Sequence, residues 1–123
     1  VENDGNPPFP EHGDLKKALN GIPGYGTDTD NNSMFKILLS HDPTHWRRKV
    51  LPQTDIQLTL SGHTHGGHIF FMYPILAYFN DGMVSGAYQR SDKLVYVNRG
   101  TGLWNGFSIR IGVPSEITDI TLE

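Results

Sequence analysis

The sequence contains no cysteine. That absence excludes disulfides, thiolate nucleophiles and every zinc site built on sulfur, and it says nothing about compartment. Long apolar runs are also missing. The longest are far too short to cross a bilayer, and no signal-peptide pattern occurs. Val1 is not an initiator methionine, so any targeting segment is expected upstream of it. No block of like charge is present: 10 basic residues face 13 acidic ones, for a net charge of −3. The basic footprint of a nucleic-acid binder is therefore absent, and no such partner is indicated. Arg47-Arg48-Lys49, the densest basic run, reads as the solvated face of a helix. Repeats, low-complexity tracts and linkers are lacking too, so residues 1–123 read as one unit.

What is present is glycine (14), proline (8) and an unusual grouping of histidine. The glycine and proline content predicts a loop-rich fold with short elements. Five of the six histidines, His41, His45, His63, His65 and His68, fall in one short stretch. Chemistry is to be sought there.

Residues 1–4 read like the end of a strand and residues 6–10 as a turn-rich lead-in, and residues 14–19 predict a short helix ended by Gly21 and Pro23. Residues 24–33 are a polar loop. Its Asp28-Thr29-Asp30-Asn31-Asn32 run is not a calcium loop, because Ser33 stands where the turn glycine belongs and Leu39 where the bidentate glutamate belongs. Residues 34–39 are a continuous apolar run with one lysine, as in a buried strand. Residues 43–51 predict a helix with Pro43 in its first turn, Asp42 or Ser40 as its cap, and Pro52 as its end. Residues 55–60 predict a second strand. A strand–helix–strand unit implies parallel neighbours, so Ser40-His41 and Ser61-Gly62-His63-Thr64-His65 both emerge at carboxyl strand ends, the edge where open α/β sheets bind ligands. Beyond the histidines the pattern predicts strands over 68–73, 84–88, 94–98, 107–111 and 117–122, with a helical insertion over 74–79.

Neutral imidazole is the commonest metal ligand among side chains near neutral pH. In an extended loop, residues i and i+2 project to one side, so His63 and His65 can face one cleft. Gly62, Gly66 and Gly67 permit positive φ and a close approach of backbone N–H groups to an anion. His41, one strand away at roughly 4.8 Å, can join them. His45 follows His41 by four residues but does not share a helical face with it. It reads as a partly exposed helix histidine rather than a ligand.

Leu39-Ser40-His41-Asp42-Pro43 followed by Leu60-Ser61-Gly62-His63-Thr64-His65-Gly66-Gly67 resembles the last two motifs of the calcineurin-like metallophosphoesterases. The segments Tyr96-Val97-Asn98-Arg99-Gly100-Thr101-Gly102, Arg110-Ile111-Gly112 and Pro114-Ser115-Glu116-Ile117 are similar to the closing part of its bacterial subgroup, which includes membrane-associated and cell-wall phosphoesterases. The resemblance covers residues 34–123. It implies an α/β fold, the C-terminal half of a four-layer α/β/β/α sandwich with mixed sheets. It also implies metal-dependent hydrolysis of phosphomonoesters or phosphodiesters at a dinuclear centre of manganese, iron or zinc. His41 and His63 would bind the second ion and His65 the first. The ions, roughly 3.5–4 Å apart, would hold a hydroxide for in-line attack. Association of the whole protein with a membrane or the cell envelope is implied in the same way.

The family's Asp-x-His, Gly-Asp-x-x-Asp and Gly-Asn-His-Asp/Glu motifs do not occur in this sequence. This chain alone is therefore expected to bind metal poorly and not to turn over, with no catalytic side chain of its own. A half-sandwich would leave apolar faces bare, so dimerisation or swapping is a further expectation. His68 stands where the subgroup usually has glutamine and reads as a supporting or pocket-lining residue. Arg99 is a candidate for substrate phosphate, with a structural ion pair as its alternative. Trp46, Phe70, Phe71, Tyr73, Tyr78 and Phe79 are assigned mainly to packing, with a lipid-substrate surface as the alternative. Trp104 is a candidate pocket wall. Two other readings compete: a non-catalytic metal- or phosphate-binding module, and a structural β-rich domain with incidental histidines.

Overall fold

The computed structural model describes residues 13–22, 34–104, 106 and 108–123. Expectations for residues 1–12 and 24–33 lie outside them. The first element among the described residues is helix α1 (Leu15–Leu19), where the Asp14 carboxylate accepts the Lys17 N–H at 2.9 Å as N-cap. Leu15 and Leu19, four residues apart on one face, are buried. The helix ends at Asn20, and Gly21 follows at φ +85°, a conformation that glycine takes without steric cost.

Strand β1 (Ile37–Leu39) is followed by helix α2, wound wide as a π-helix over Trp46–Val50 and as an α-helix over Leu51–Gln53. Asp42 starts it: its Oδ1 accepts both the N–H and the Oγ1–H of Thr44 at 2.8 Å. Pro52 does not end the helix, contrary to the sequence expectation. The Leu51 N–H reaches the Trp46 carbonyl five residues back, and the Thr54 N–H closes on Val50 O at 3.1 Å. Pro52, which has no N–H to offer, sits between these two bonds and breaks neither.

β2 (Leu58–Ser61), α3 (Tyr73–Phe79), β3 (Gly86–Arg90) and β4 (Lys93–Val97) complete the regular elements. One mixed sheet runs β1-β2-β4-β3. The β1–β2 and β2–β4 pairs are parallel, and β3–β4 is an antiparallel hairpin. The α/β class and the parallel strand–helix–strand unit are as expected. The hairpin, however, extends this same sheet instead of starting a second one, and no second sheet appears among the described residues.

Three expected strands are not formed: of 107–111 the described residues contribute only the Ile111 bridge, and the other two are replaced as follows. Residues 68–73 turn instead, because His68 stands at φ +58°, a 3₁₀ turn occupies Phe70–Met72, and Pro74 favours the first turn of α3. Only Ile69 keeps a bridge, to Ile111. Residues 117–122 have no regular structure. This tail is tied to the sheet by side chains, with Asn98 Nδ2 donating to Thr118 Oγ1 at 2.8 Å.

The core lies on one side of the sheet, where Leu15, Leu19, Trp46, Val50, Ile56, Met83, Val95 and Val97 cluster. Leu38 packs against it, while its neighbours Ile37 and Leu39 point the other way and are exposed. The sheet is thus covered by helices on one face and carries bare apolar side chains on the other.

Candidate metal centre

Three parallel strands, β1, β2 and β4, bring their carboxyl ends to one edge. The Ser40 N–H donates to Leu60 O at 3.0 Å and the Gly62 N–H to His41 O at 3.1 Å, so the ladder continues until the first histidine is in place. The Asn98 N–H donates to Ser61 O at 2.8 Å and brings Asn98 and Arg99 to the same edge.

The loop after β2 is a tight turn rather than the expected extended segment, yet His63 and His65 both line one cavity. His63 (φ +67°), His65 (φ +49°) and His68 (φ +58°) are all left-handed. Such conformations cost a non-glycine residue on the order of 1 kcal/mol each, so surrounding contacts must impose them. Thr64 is one anchor. It is buried, its Oγ1 donates to Val84 O at 2.6 Å, and the same oxygen accepts the Gly66 N–H at 3.3 Å. Arg110 is the other. Its guanidinium donates to the carbonyls of His65 (3.1 Å), Arg99 (2.9 Å), Gly100 (3.2 Å) and Gly102 (2.8 Å). Neither residue was singled out from sequence. A hydroxyl residue inside a glycine-rich turn was the available signal for Thr64; Arg110 stood in a segment that carried the resemblance, but its role was hidden, because its partners are backbone carbonyls distant in sequence.

The turn distributes the histidines in pairs. His41 and His63 meet edge to face with ring centroids 4.7 Å apart, and His65 lies 4.8 Å from His68. His68 is buried, its Nε2 accepts the Trp104 N–H at 3.0 Å, and its Nδ1 lies 3.4 Å from Ile109 O. The neutral ring therefore carries its proton on Nδ1, and its Nε2 lone pair is already used. That makes His68 a support for the turn.

His45, expected to be partly exposed, is fully buried, with its Nδ1 2.9 Å from Ser40 Oγ. The hydroxyl just ahead of His41 partners that nitrogen inside the core. Arg99 is engaged by Glu116, with Nε to Oε2 at 2.7 Å, and its aliphatic stem packs beneath Gly66. Burial opposes ionisation of Glu116, but hydrogen bonds from Tyr96, Arg99 and Thr118 outweigh it and hold the pKa at about 2.

Electrostatics favour the neutral form of His63 and His65. Partial desolvation lowers the His63 pKa, the Asp42 carboxylate opposes this, and His41 adds to it. Desolvation also lowers His65, reinforced by His68 and Arg110, against a backbone hydrogen bond at Gly102. Neutral imidazole is the form that binds metal. His65 Nδ1 is buried with no hydrogen-bond partner among the described residues. A buried lone pair of that kind suits a cation. The donors thus fit the imidazole portion of a metal site. They do not complete one: among the described residues, no group of three or more His, Asp or Glu side chains is placed to hold an ion.

Histidine pairs on a glycine turn, at the carboxyl edge of parallel strands, place the candidate site at the ligand-binding edge of an α/β protein. Comparison with known proteins narrows the class. The chain is 40% identical over 117 residues to "Transmembrane protein with metallophosphoesterase domain" of Danio rerio, an alignment covering 94% of this chain and 24% of that protein. A protein of the same name from Bos taurus is 39% identical, covering 91% of this chain and 23% of its own length. A metallophosphoesterase of Campylobacter jejuni is 42% identical over 95 residues, covering 76% of this chain and 24% of that protein. No family model matches the chain, and no solved structure matches it. The chain belongs to the metallophosphoesterases and corresponds to their C-terminal part. It spans about a quarter of the length of these relatives.

Proposed function

We propose that the intact protein hydrolyses phosphomonoesters or phosphodiesters at a centre of two divalent ions, with His41 and His63 holding one ion and His65 the other. The observation that carries this reading is the split of the histidines. His41 and His63 form one pair, and His65 presents a buried, unshared Nδ1 beside it. Manganese, iron and zinc all suit imidazole and carboxylate donors. When bound, such ions neutralise charge on the phosphoryl oxygens and act as Lewis acids.

The chain's own residues orient and desolvate the ligands. Asp42 lies close enough to influence His63, Thr64 and Arg110 fix the turn, and His68 props His65. The remaining donors, including a bridging carboxylate, belong to family motifs that this sequence does not carry, so this chain alone is expected to be inactive. The vertebrate relatives carry "transmembrane" in their names, which supports membrane association of the whole protein. No helix among the described residues is long and apolar enough to cross a membrane.

The test is hydrolysis of bis(p-nitrophenyl) phosphate and p-nitrophenyl phosphate by the manganese-loaded intact protein, alongside calorimetric metal titration. His63→Ala and His65→Ala should each weaken metal binding and activity by more than about 100-fold. Metal affinity unchanged in both variants would sink the assignment.

A further inference from the structure

Residues 69–79, from Ile69 to Phe79, contain no charged side chain. The sequence assigned their aromatics mainly to packing, but the structure exposes them: Phe70, Phe71, Tyr73 and Phe79 are accessible, and Tyr78 is 83% accessible. The opposite side of the segment, Ile69, Met72 and Leu76, lines a cavity of about 260 Å³ together with Trp104. Met72 and Leu76, four residues apart, share one face of the helical segment, and Ile69 lies just ahead of it in extended backbone. A segment apolar on both faces is at home only where both meet an apolar phase.

The cavity opens on the turn. His63, Thr64, His65, Gly67 and His68 form its polar wall, and Ile69, Met72, Leu76 and Trp104 form the rest. His68 joins the two walls through its bond from the Trp104 N–H. An occupant that satisfies both walls must be amphiphilic, with an anionic head at the histidines and an aliphatic body beside α3. Inorganic phosphate or a small polar ester would leave the apolar wall in contact with water.

We infer that the site takes a phosphoester bearing an apolar chain, the phosphoryl group at His63 and His65 and the chain against Ile69, Met72, Leu76 and Trp104. This rests on the phosphoesterase reading and narrows its substrate class. The ligand's source is either a soluble amphiphile or a lipid within a bilayer, and the chemistry recognised is the same.

Alkylphosphonates, which the proposed hydrolysis leaves intact, separate this inference from the activity. Calorimetric titration of the metal-loaded intact protein with methyl-, butyl-, hexyl- and octylphosphonate should show Kd falling about two- to fourfold per added CH₂, until the cavity is filled. Leu76→Ser and, independently, the exposed Trp104→Ala should flatten that slope. Competition of bound octylphosphonate by phosphatidic acid in phosphatidylcholine vesicles identifies a bilayer lipid as the source, and absence of competition identifies a soluble amphiphile. Equal affinity for methyl- and octylphosphonate overturns the inference, while hydrolysis of p-nitrophenyl esters by the same preparation would leave the phosphoesterase reading standing. Steep chain-length dependence without any hydrolysis would support the cavity assignment and refute the catalytic one.

Discussion

Three glycines surround the histidine pair, and substituting each by alanine should give three different outcomes. At Gly66, a Cβ would stand 2.6 Å from Arg99 Cγ, 2.8 Å from Arg99 Cδ and 2.8 Å from Val113 Cγ1, at φ +63°. The left-handed conformation costs alanine on the order of 1 kcal/mol. Overpacking adds about 1–3 kcal/mol, because the Arg99 stem is tethered by Glu116 and cannot simply swing away. Gly66→Ala should therefore destabilise by about 2–4 kcal/mol. At Gly67, φ is +87° but the nearest atom lies at 3.6 Å, so only the backbone term of about 1 kcal/mol applies. At Gly62, the nearest atom is Asn98 O at 3.9 Å and φ is not left-handed. Alanine there should be neutral or stabilise by a few tenths of a kcal/mol through the unfolded chain. Urea unfolding of the three variants and the parent, compared by midpoint at constant m, reads the series directly. Equal midpoints for Gly66→Ala and Gly62→Ala would refute the claim that the Arg99 stem and the left-handed turn fix this loop.

Two further outcomes follow from the same contacts. Glu116 is held at a pKa of about 2 against an ordinary 4.5, a depression worth about 3 kcal/mol at 1.36 kcal/mol per unit. A depressed folded-state pKa stabilises above the unfolded value, and that contribution fades as pH falls from about 4.5 towards 2. Glu116→Gln should thus be less stable than the parent at pH 7, with the gap closing in acid. A gap of the same size at pH 2.5 and pH 7 would contradict the ion-pair account. Thr64→Val keeps the side-chain shape but leaves Val84 O without its 2.6 Å donor and the Gly66 N–H without its acceptor. It should cost about 1–3 kcal/mol in the same unfolding assay and weaken metal binding in the intact protein. A neutral result would remove Thr64 as the anchor.

Much of the framework was legible because its signals are local. The apolar runs at residues 34–39 and 55–60, separated by a proline-started helix, specify parallel neighbours, and β1 and β2 pair as such. The turn residues of the Gly-His-Thr-His-Gly-Gly run mark the site. Misreadings arose where tertiary contacts overrode local pattern. The apolar run 68–73 has strand composition, yet four consecutive left-handed residues, His65, Gly66, Gly67 and His68, redirect it into a 3₁₀ turn and α3. The sequence could not show that Phe70, Phe71, Tyr78 and Phe79 would face outward, because hydrophobicity alone does not say which side is covered.

The sequence by itself thus determined the candidate donor chemistry: imidazoles without thiolates, on a glycine-rich turn at a strand end. Only the tertiary structure decided how those imidazoles are shared out. His41 comes to His63 through strand pairing, His65 comes to His68 through left-handed backbone, and Arg110 holds the turn by carbonyls that no sequence pattern marks. The physical reason is that ligand identity is a property of side chains, whereas their convergence depends on backbone conformations imposed by distant contacts.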